Sequence, residues 1–124
     1  MNWTTILIIA VLIAVVVLLK KSGEIAPADV REQLRHGALV IDVRGPDEFN
    51  SGHLPSALNL PLDEFDTALP ARLPDKNQVL LLHCQSGMRS AMAMSKAKAL
   101  GYPNAFNLGS YSRAQQIVGP SPGN

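Results

Sequence analysis

"LLLHCQSGMRSAMAMSKAKAL", residues 80–100, joins a short apolar run to a helical pattern, and the chain's only cysteine, Cys84, stands at the junction. A compact apolar run of this length bounded by a turn signal reads as a buried strand. "RSAMAMSKAKAL" reads as a helix stopped by Gly101. Its small residues Ala91, Ala93 and Ala97 allow close approach to a sheet, and Lys96 and Lys98 complement the negative end of its dipole. Cys84 therefore falls at the carboxyl end of a strand, where parallel α/β sheets hold their ligands.

Between Cys84 and Arg89 lie Gln85, Ser86, Gly87 and Met88. The first N–H groups of a helix have no intrahelical partner, and the dipole adds positive potential there. Successive N–H groups in a tight turn form a nest that favours an anion, and Gly87 gives the turn its backbone freedom. Arg89 adds a permanent charge and a fork of donors. A cysteine so placed is expected to titrate below its free value and to be a nucleophilic thiolate exposed at the strand end. Gln85 and Ser86 are read as loop residues offering amide groups, and Met88 as a rim, packing or substrate-contact residue. The competing reading makes Cys84 an inert buried thiol; the order strand, cysteine, glycine-bearing loop, arginine, helix favours the reactive one. His83, by strand alternation, is expected to point away from the sulfur.

The rest of the chain alternates in the same way. A helix is expected over "PADVREQLRHG", a strand over "ALVIDV", a helical turn over 46–50 and a strand over "ALNLPL". "DEFDTAL" follows as a short helix closed by Pro70, then a turn at "PDKN", the strand "QVLLLH" and the cysteine helix. "NAFNL" is a last strand, "YSRAQQIV" a closing helix and "GPSPGN" a frayed tail. Strands alternating with helices imply a mostly parallel sheet covered on both faces.

The first segment is different material. "WTTILIIAVLIAVVVLLKK" is continuously apolar over residues 6–19 and is followed by Lys20 and Lys21. It is read as a single transmembrane anchor over 1–21, at the lower end of the length for a crossing, in contact with the lipid bilayer. A basic leader region and a small-residue cleavage site, the marks of a signal peptide, are missing. Lysines after the span place the following domain, 22–118, on the cytoplasmic side, with a flexible tail over 119–124.

Composition excludes several classes. Eleven basic residues face ten acidic ones, so there is no basic footprint for nucleic acid. His36, His53 and His83 are scattered, Cys84 has no cysteine partner, and no metal site or Gly-rich cofactor loop is expected. Arg44 is read as pairing with Glu48 or Asp47, and His53 as tying down its loop through hydrogen bonds. Phe49 and Phe65 are read as core, and Asp63, Glu64 and Asp66 as a solvated helix face.

Taken together, "LVIDVRGPDEFNSGHLPSALNLPL", "VLLLHCQSGMRSAMA" and "LGYPNAFNLGS" resemble, in that order, three motifs of the rhodanese family. The resemblance implies a three-layer α/β domain, Cys84 as a sulfur-carrying nucleophile, and residues 84–89 as the active-site loop. Ser56 departs from the family's usual glycine, Ser110 stands in a glycine-rich turn, and the tryptophan often found after that turn is absent. Four residues between cysteine and arginine resemble the rhodanese cradle; cysteine phosphatases of related fold use five. The expected function is transfer of a sulfane sulfur from a donor such as thiosulfate or a persulfide to a thiol or cyanide through a Cys84 persulfide, without metal or organic cofactor. The alternatives are a tethered binding module without turnover and, disfavoured by loop length, a phosphatase or arsenate reductase.

Overall fold

Four strands, none longer than six residues, form one parallel sheet, and the loops at their carboxyl ends build the site. The computed structural model describes residues 2–21 and 23–119, with the backbone alone for 17–21. Along the chain come α1 (Trp3–Lys21), α2 (Pro27–Arg35), β1 (Leu39–Asp42), α3 (Pro46–Asn50) and β2 (Leu58–Asn59). A 3-10 turn (Leu62–Glu64) leads into α4 (Phe65–Arg72), followed by β3 (Leu80–Cys84), α5 (Met88–Ala99), β4 (Ala105–Ser110) and α6 (Tyr111–Val118). The strand order is β2-β1-β3-β4, every neighbouring pair parallel. The expected α/β architecture with a parallel sheet is the one found.

Alternation along β3 assigns the two core layers. Leu80, Leu82 and Cys84 face one side with Ile41, Val43, Phe65, Leu69, Ala93 and Ala97. Leu81 faces the other with Val30, Val40, Leu108 and Ala114. Because both faces are covered, β3 is buried along its whole length, which is why Leu80, Leu81 and Leu82 run on without a polar alternate before the buried His83. Of the small residues expected to let α5 settle on the sheet, Ala93 and Ala97 are buried and Ala91 is half-buried; Ser90 takes the third buried position, while Met88 and Met92 are exposed.

Local starts follow known capping chemistry. Pro27 and Pro46 open α2 and α3 where a missing N–H costs nothing. Ser110 Oγ accepts the Arg113 N–H at 3.0 Å and caps α6. Ser110 itself has φ −75°, so its place in the turn requires no glycine. Ser56 has φ +68°, the left-handed region that glycine occupies without cost, and carries that strain as a serine.

Several expectations are corrected. Pro70 lies inside α4 rather than closing it, since the helix is short and forfeits only the bond to the residue of its preceding turn, the exposed Asp66. The strand expected over "ALNLPL" pairs only at Leu58–Asn59; the chain then turns away at Pro61 into the 3-10 turn. Phe65 is core, but Phe49 is half-buried, stacked on His53 with ring centroids 3.7 Å apart.

The expected membrane crossing finds no support: among the described residues no helix is long and apolar enough to cross a membrane. The side chains of 17–22, including the lysine pair Lys20 and Lys21, lie outside the described residues, as do residues 120–124 of the expected tail. The described apolar side chains of α1 are all exposed, from 42% at Ile9 to 73% at Trp3.

Leu82 is fully buried at the centre of the sheet. Leu82→Ala is expected to destabilise the domain by about 2–5 kcal/mol, measured by urea unfolding; a loss under about 1 kcal/mol would show that this layer collapses around the cavity.

Candidate functional site

The Cys84 sulfur takes over the work of a helix cap. Gly87, the N-cap position of α5, stands at φ +98° and has no side chain to offer. In its place Cys84 Sγ accepts the Gly87 N–H at 3.0 Å and the Ser90 N–H at 3.4 Å, with the Ser90 hydroxyl at 3.5 Å. Two N–H groups thus converge on one sulfur at the positive end of a helix, with the Ser90 hydroxyl beside them. Burial raises the Cys84 pKa, but bonds from the Ser90 hydroxyl and the Ser90, Gly87 and Ser86 N–H groups outweigh it, so the thiol lies below its ordinary value.

The direction of that shift agrees with the sequence expectation, and so does the part played by loop and helix N–H groups; the part expected of Arg89 is what differs. Arg89 was expected to lend its charge to the cradle. Instead it grips Glu48 with two parallel bonds of 2.7 and 2.9 Å, the geometry favoured by guanidinium and carboxylate. The exposed cysteine expected at the strand end is also corrected: Cys84 has 0% exposure, because the loop folds back over the sulfur. Gln85, Ser86 and Met88 form an exposed rim, Met88 at 75%. Of residues 85–89, Gly87 donates its N–H to the sulfur, Gln85 reaches Arg44, Met88 stands in solvent and Arg89 serves the neighbouring ion pair.

Ser90 and Asn107 escaped the sequence reading. Ser90 follows the loop directly, and its helical position one turn beyond Gly87 was the available signal. Asn107 sits on β4 and offered none. It is buried, accepts from the Ser90 hydroxyl at 2.7 Å and the Gly109 N–H at 3.0 Å, and donates to the Gly87 carbonyl at 3.3 Å. Gly109 stands at φ +104°, a conformation that strains any other residue, and a Cβ there would also push the Glu24 carboxylate aside.

On the opposite face of the sheet lies a second buried polar group. Arg44 does not pair with Glu48 or Asp47 as expected; it folds back on Asp42 with bonds of 2.8 to 3.0 Å. The two residues leave the end of β1 together, so the carboxylate lies closer than either acid of α3. Arg44 also donates to the Gly52 carbonyl at 2.7 Å, reaches the Gln85 Oε1 at 3.4 Å and lies 4.3 Å from the Tyr111 ring centroid. His83 points away from the sulfur as expected and stacks on Tyr111. Burial, ahead of the opposing pull of Asp42, lowers its pKa. His53 ties down its loop through a 2.8 Å bond with the Phe49 carbonyl, as expected. Among the described residues no group of acidic, histidine or cysteine side chains could hold a metal ion.

Beside the Arg89–Glu48 pair opens a groove of about 460 Å³ lined by Val43, Leu62, Asp63 and Lys96 among others; Cys84 does not line it. Glu48 is held down to about 2, first by the Arg89 bonds, with burial opposing and the Gly45 N–H assisting. Its folded value lies below the unfolded value of about 4.3, so its stabilisation is complete above about pH 5 and is lost as pH falls through the folded value. Exposures of 37% and 39% mean that water screens the pair and keeps its worth small. Glu48→Gln is expected to lower the thermal midpoint near neutral pH, with the difference from wild type closing as pH falls toward about 2; a difference independent of pH would deny the ion pair its role.

The geometry can be set beside known proteins. Residues 26–116 match the family model described as Rhodanese-like domain. The chain is 33% identical over 69 residues to the thiosulfate sulfurtransferase PspE of Escherichia coli, a match that takes in 56% of this chain and 66% of PspE. It is 35% identical over 94 residues to the human thiosulfate:glutathione sulfurtransferase, with 64% of this chain and 80% of that protein covered. Among solved structures, the human single-domain sulfurtransferase TSTD1 superposes with a TM-score of 0.66 at 32% identity, covering 75% of this chain and 95% of that one. A rhodanese with anions from E. coli gives 0.62 at 30% identity, covering 68% and 95%. With a parallel sheet, a cysteine at its carboxyl edge and a four-residue loop to Arg89, the chain belongs to the rhodanese-like family of single-domain sulfurtransferases.

Proposed function

We propose that Cys84 carries a sulfane sulfur between a small anionic donor and a thiol acceptor, and that residues 85–89 form the loop that admits and holds both. The observation that supports this most directly is the convergence of the Gly87 and Ser90 donors on Sγ, which steadies a charged sulfur inside the domain. With thiosulfate, the Cys84 thiolate attacks the outer sulfur; a sulfur–sulfur bond forms to Cys84, the bond to the sulfonate sulfur breaks, and sulfite leaves with its electron pair. An acceptor thiolate then attacks the outer sulfur of the persulfide, takes it away as a new persulfide and returns the Cys84 thiolate. Because Cys84 is enclosed, the donor enters by displacement of the exposed rim of Gln85, Ser86 and Met88.

Thiosulfate and glutathione, which the names of the two relatives carry, are the first donor and acceptor to test. Intact mass after incubation with thiosulfate is expected to rise by one sulfur atom, and Cys84→Ser is expected to show no gain and no turnover while keeping its fold. A wild-type protein that gains nothing would favour the tethered binding module; turnover in the variant would remove Cys84 from the chemistry.

We also infer that α1 attaches the protein to a membrane, with the domain on the cytoplasmic side. Support comes from the exposed apolar side chains of residues 3–16, the described part of α1, and from the lysine pair that follows in sequence. The full chain is expected in the membrane fraction after carbonate washing, and the chain lacking residues 1–21 in the soluble fraction with its activity kept. Release of the full chain by salt alone, or digestion of the domain by protease outside sealed cells, would overturn attachment or orientation respectively.

A further inference from the structure

We propose that Asn107 is a positioning residue for the sulfur: it holds the Ser90 hydroxyl proton while Cys84 is a neutral thiol and yields it to Sγ when the sulfur becomes charged. This rests on the reading of Cys84 as the sulfur carrier. Asn107 is 4% exposed and Ser90 fully buried, so water does not compete at either. The orientation of the Asn107 amide is fixed by two backbone groups. The Gly109 N–H, 3.0 Å away, can only donate, and the Gly87 carbonyl, 3.3 Å away, can only accept. The amide oxygen must therefore face Ser90, and the Ser90 hydroxyl, at 2.7 Å, must donate to it.

Ser90 has one proton and several acceptors. Its oxygen lies 3.1 Å from the Gly87 carbonyl, 3.4 Å from the Gly109 carbonyl and 3.5 Å from Sγ, all longer than the contact with Asn107. With the proton toward Asn107, the hydroxyl lone pairs face the sulfur, an arrangement that suits S–H and opposes a thiolate. When the thiol proton leaves to water, rotation about the hydroxyl bond turns the Ser90 donor onto Sγ. The rotation leaves no buried acceptor unpaired, because the Asn107 oxygen keeps the Gly109 N–H. An acceptor without that second donor would resist the exchange.

A double-mutant cycle on the full chain tests the exchange. The readout is the pH midpoint of Cys84 alkylation by iodoacetamide. Asn107→Asp strengthens the acceptor and is expected to raise the midpoint by about one pH unit, a tenfold slower alkylation below both midpoints. In a Ser90→Ala background most of that shift is expected to vanish. The other charged and titratable groups around the sulfur are Arg89, Glu48, Asp42, Arg44, His83, Glu24 and Arg113, and all are common to the four proteins. An equal shift in both backgrounds would mean that the new charge acts through space, and no shift with Ser90 present would mean that Asn107 does not govern the hydroxyl; either overturns the proposal. Should near-UV circular dichroism show Asn107→Asp unfolded, Asn107→Ala replaces it in the cycle. That variant frees the Ser90 proton and is expected to lower the midpoint only when Ser90 is present; an unchanged midpoint, or the same fall without Ser90, overturns the proposal too. Failure of the sulfur-carrier reading is seen separately, as wild-type protein that gains no mass from thiosulfate while the alkylation cycle still shows its coupling.

Discussion

A sulfur sealed from water can hold negative charge only where donors replace the water, and the 3.0 Å bond from the Gly87 N–H to Cys84 Sγ is where that requirement shapes this domain. The bond needs a left-handed residue at 87, hence glycine, and a helix starting at Met88, hence free N–H groups aimed at the strand end. It draws Ser90 into the core in a position where most helices bury a hydrocarbon. Ser90 in turn needs Asn107, and Asn107 needs the backbone of Gly109. Each link costs some apolar burial, and the Leu80, Leu81 and Leu82 run behind the sulfur supplies the layer on which the links rest.

The charges around the sulfur are arranged in pairs. Arg89 is paired with Glu48 and Arg44 with Asp42, while the groups that donate to the sulfur are the N–H groups of Gly87 and Ser90. The Asp42–Arg44 pair is sealed at 0% and 3% exposure, and its remaining donors are taken by Gly52 and Gln85. Breaking it by removing one partner would leave a buried charge alone, which is the costly case, while the Glu48–Arg89 pair meets water on one side.

Much of this was legible along the chain because it is local. The turn over Pro46–Asn50, the closing helix over Tyr111–Val118 and the strand-loop-helix around Cys84 all follow from neighbours in sequence. What escaped depends on residues far apart. Asn107 reads as one polar residue in a strand, and only the pairing of β3 with β4 carries it to Ser90. The Asp42–Arg44 pair was missed although its members are two apart, because the choice among three nearby acids depends on how the chain leaves β1. The enclosure of Cys84 was missed because a loop's fold over a side chain leaves no periodic mark. Ser56 shows the converse: its departure from the family glycine was visible, and the left-handed backbone explains why glycine is usual there.

The arrival of the chain at its domain has a consequence for how copies meet one another. The Ile25 N–H donates to the Asn107 carbonyl at 2.9 Å, and Arg113 grips the Ile25 and Leu108 carbonyls at 2.6 Å each. This entering segment lies along the outer side of β4, occupying hydrogen-bonding groups that would otherwise stand open. At the opposite border of the sheet β2 is only two residues long. A parallel sheet with open borders invites strand-to-strand association between molecules. Here one border is paired at Asn107 by the chain's own approach and the other is only two residues long, so neither offers a long unpaired strand.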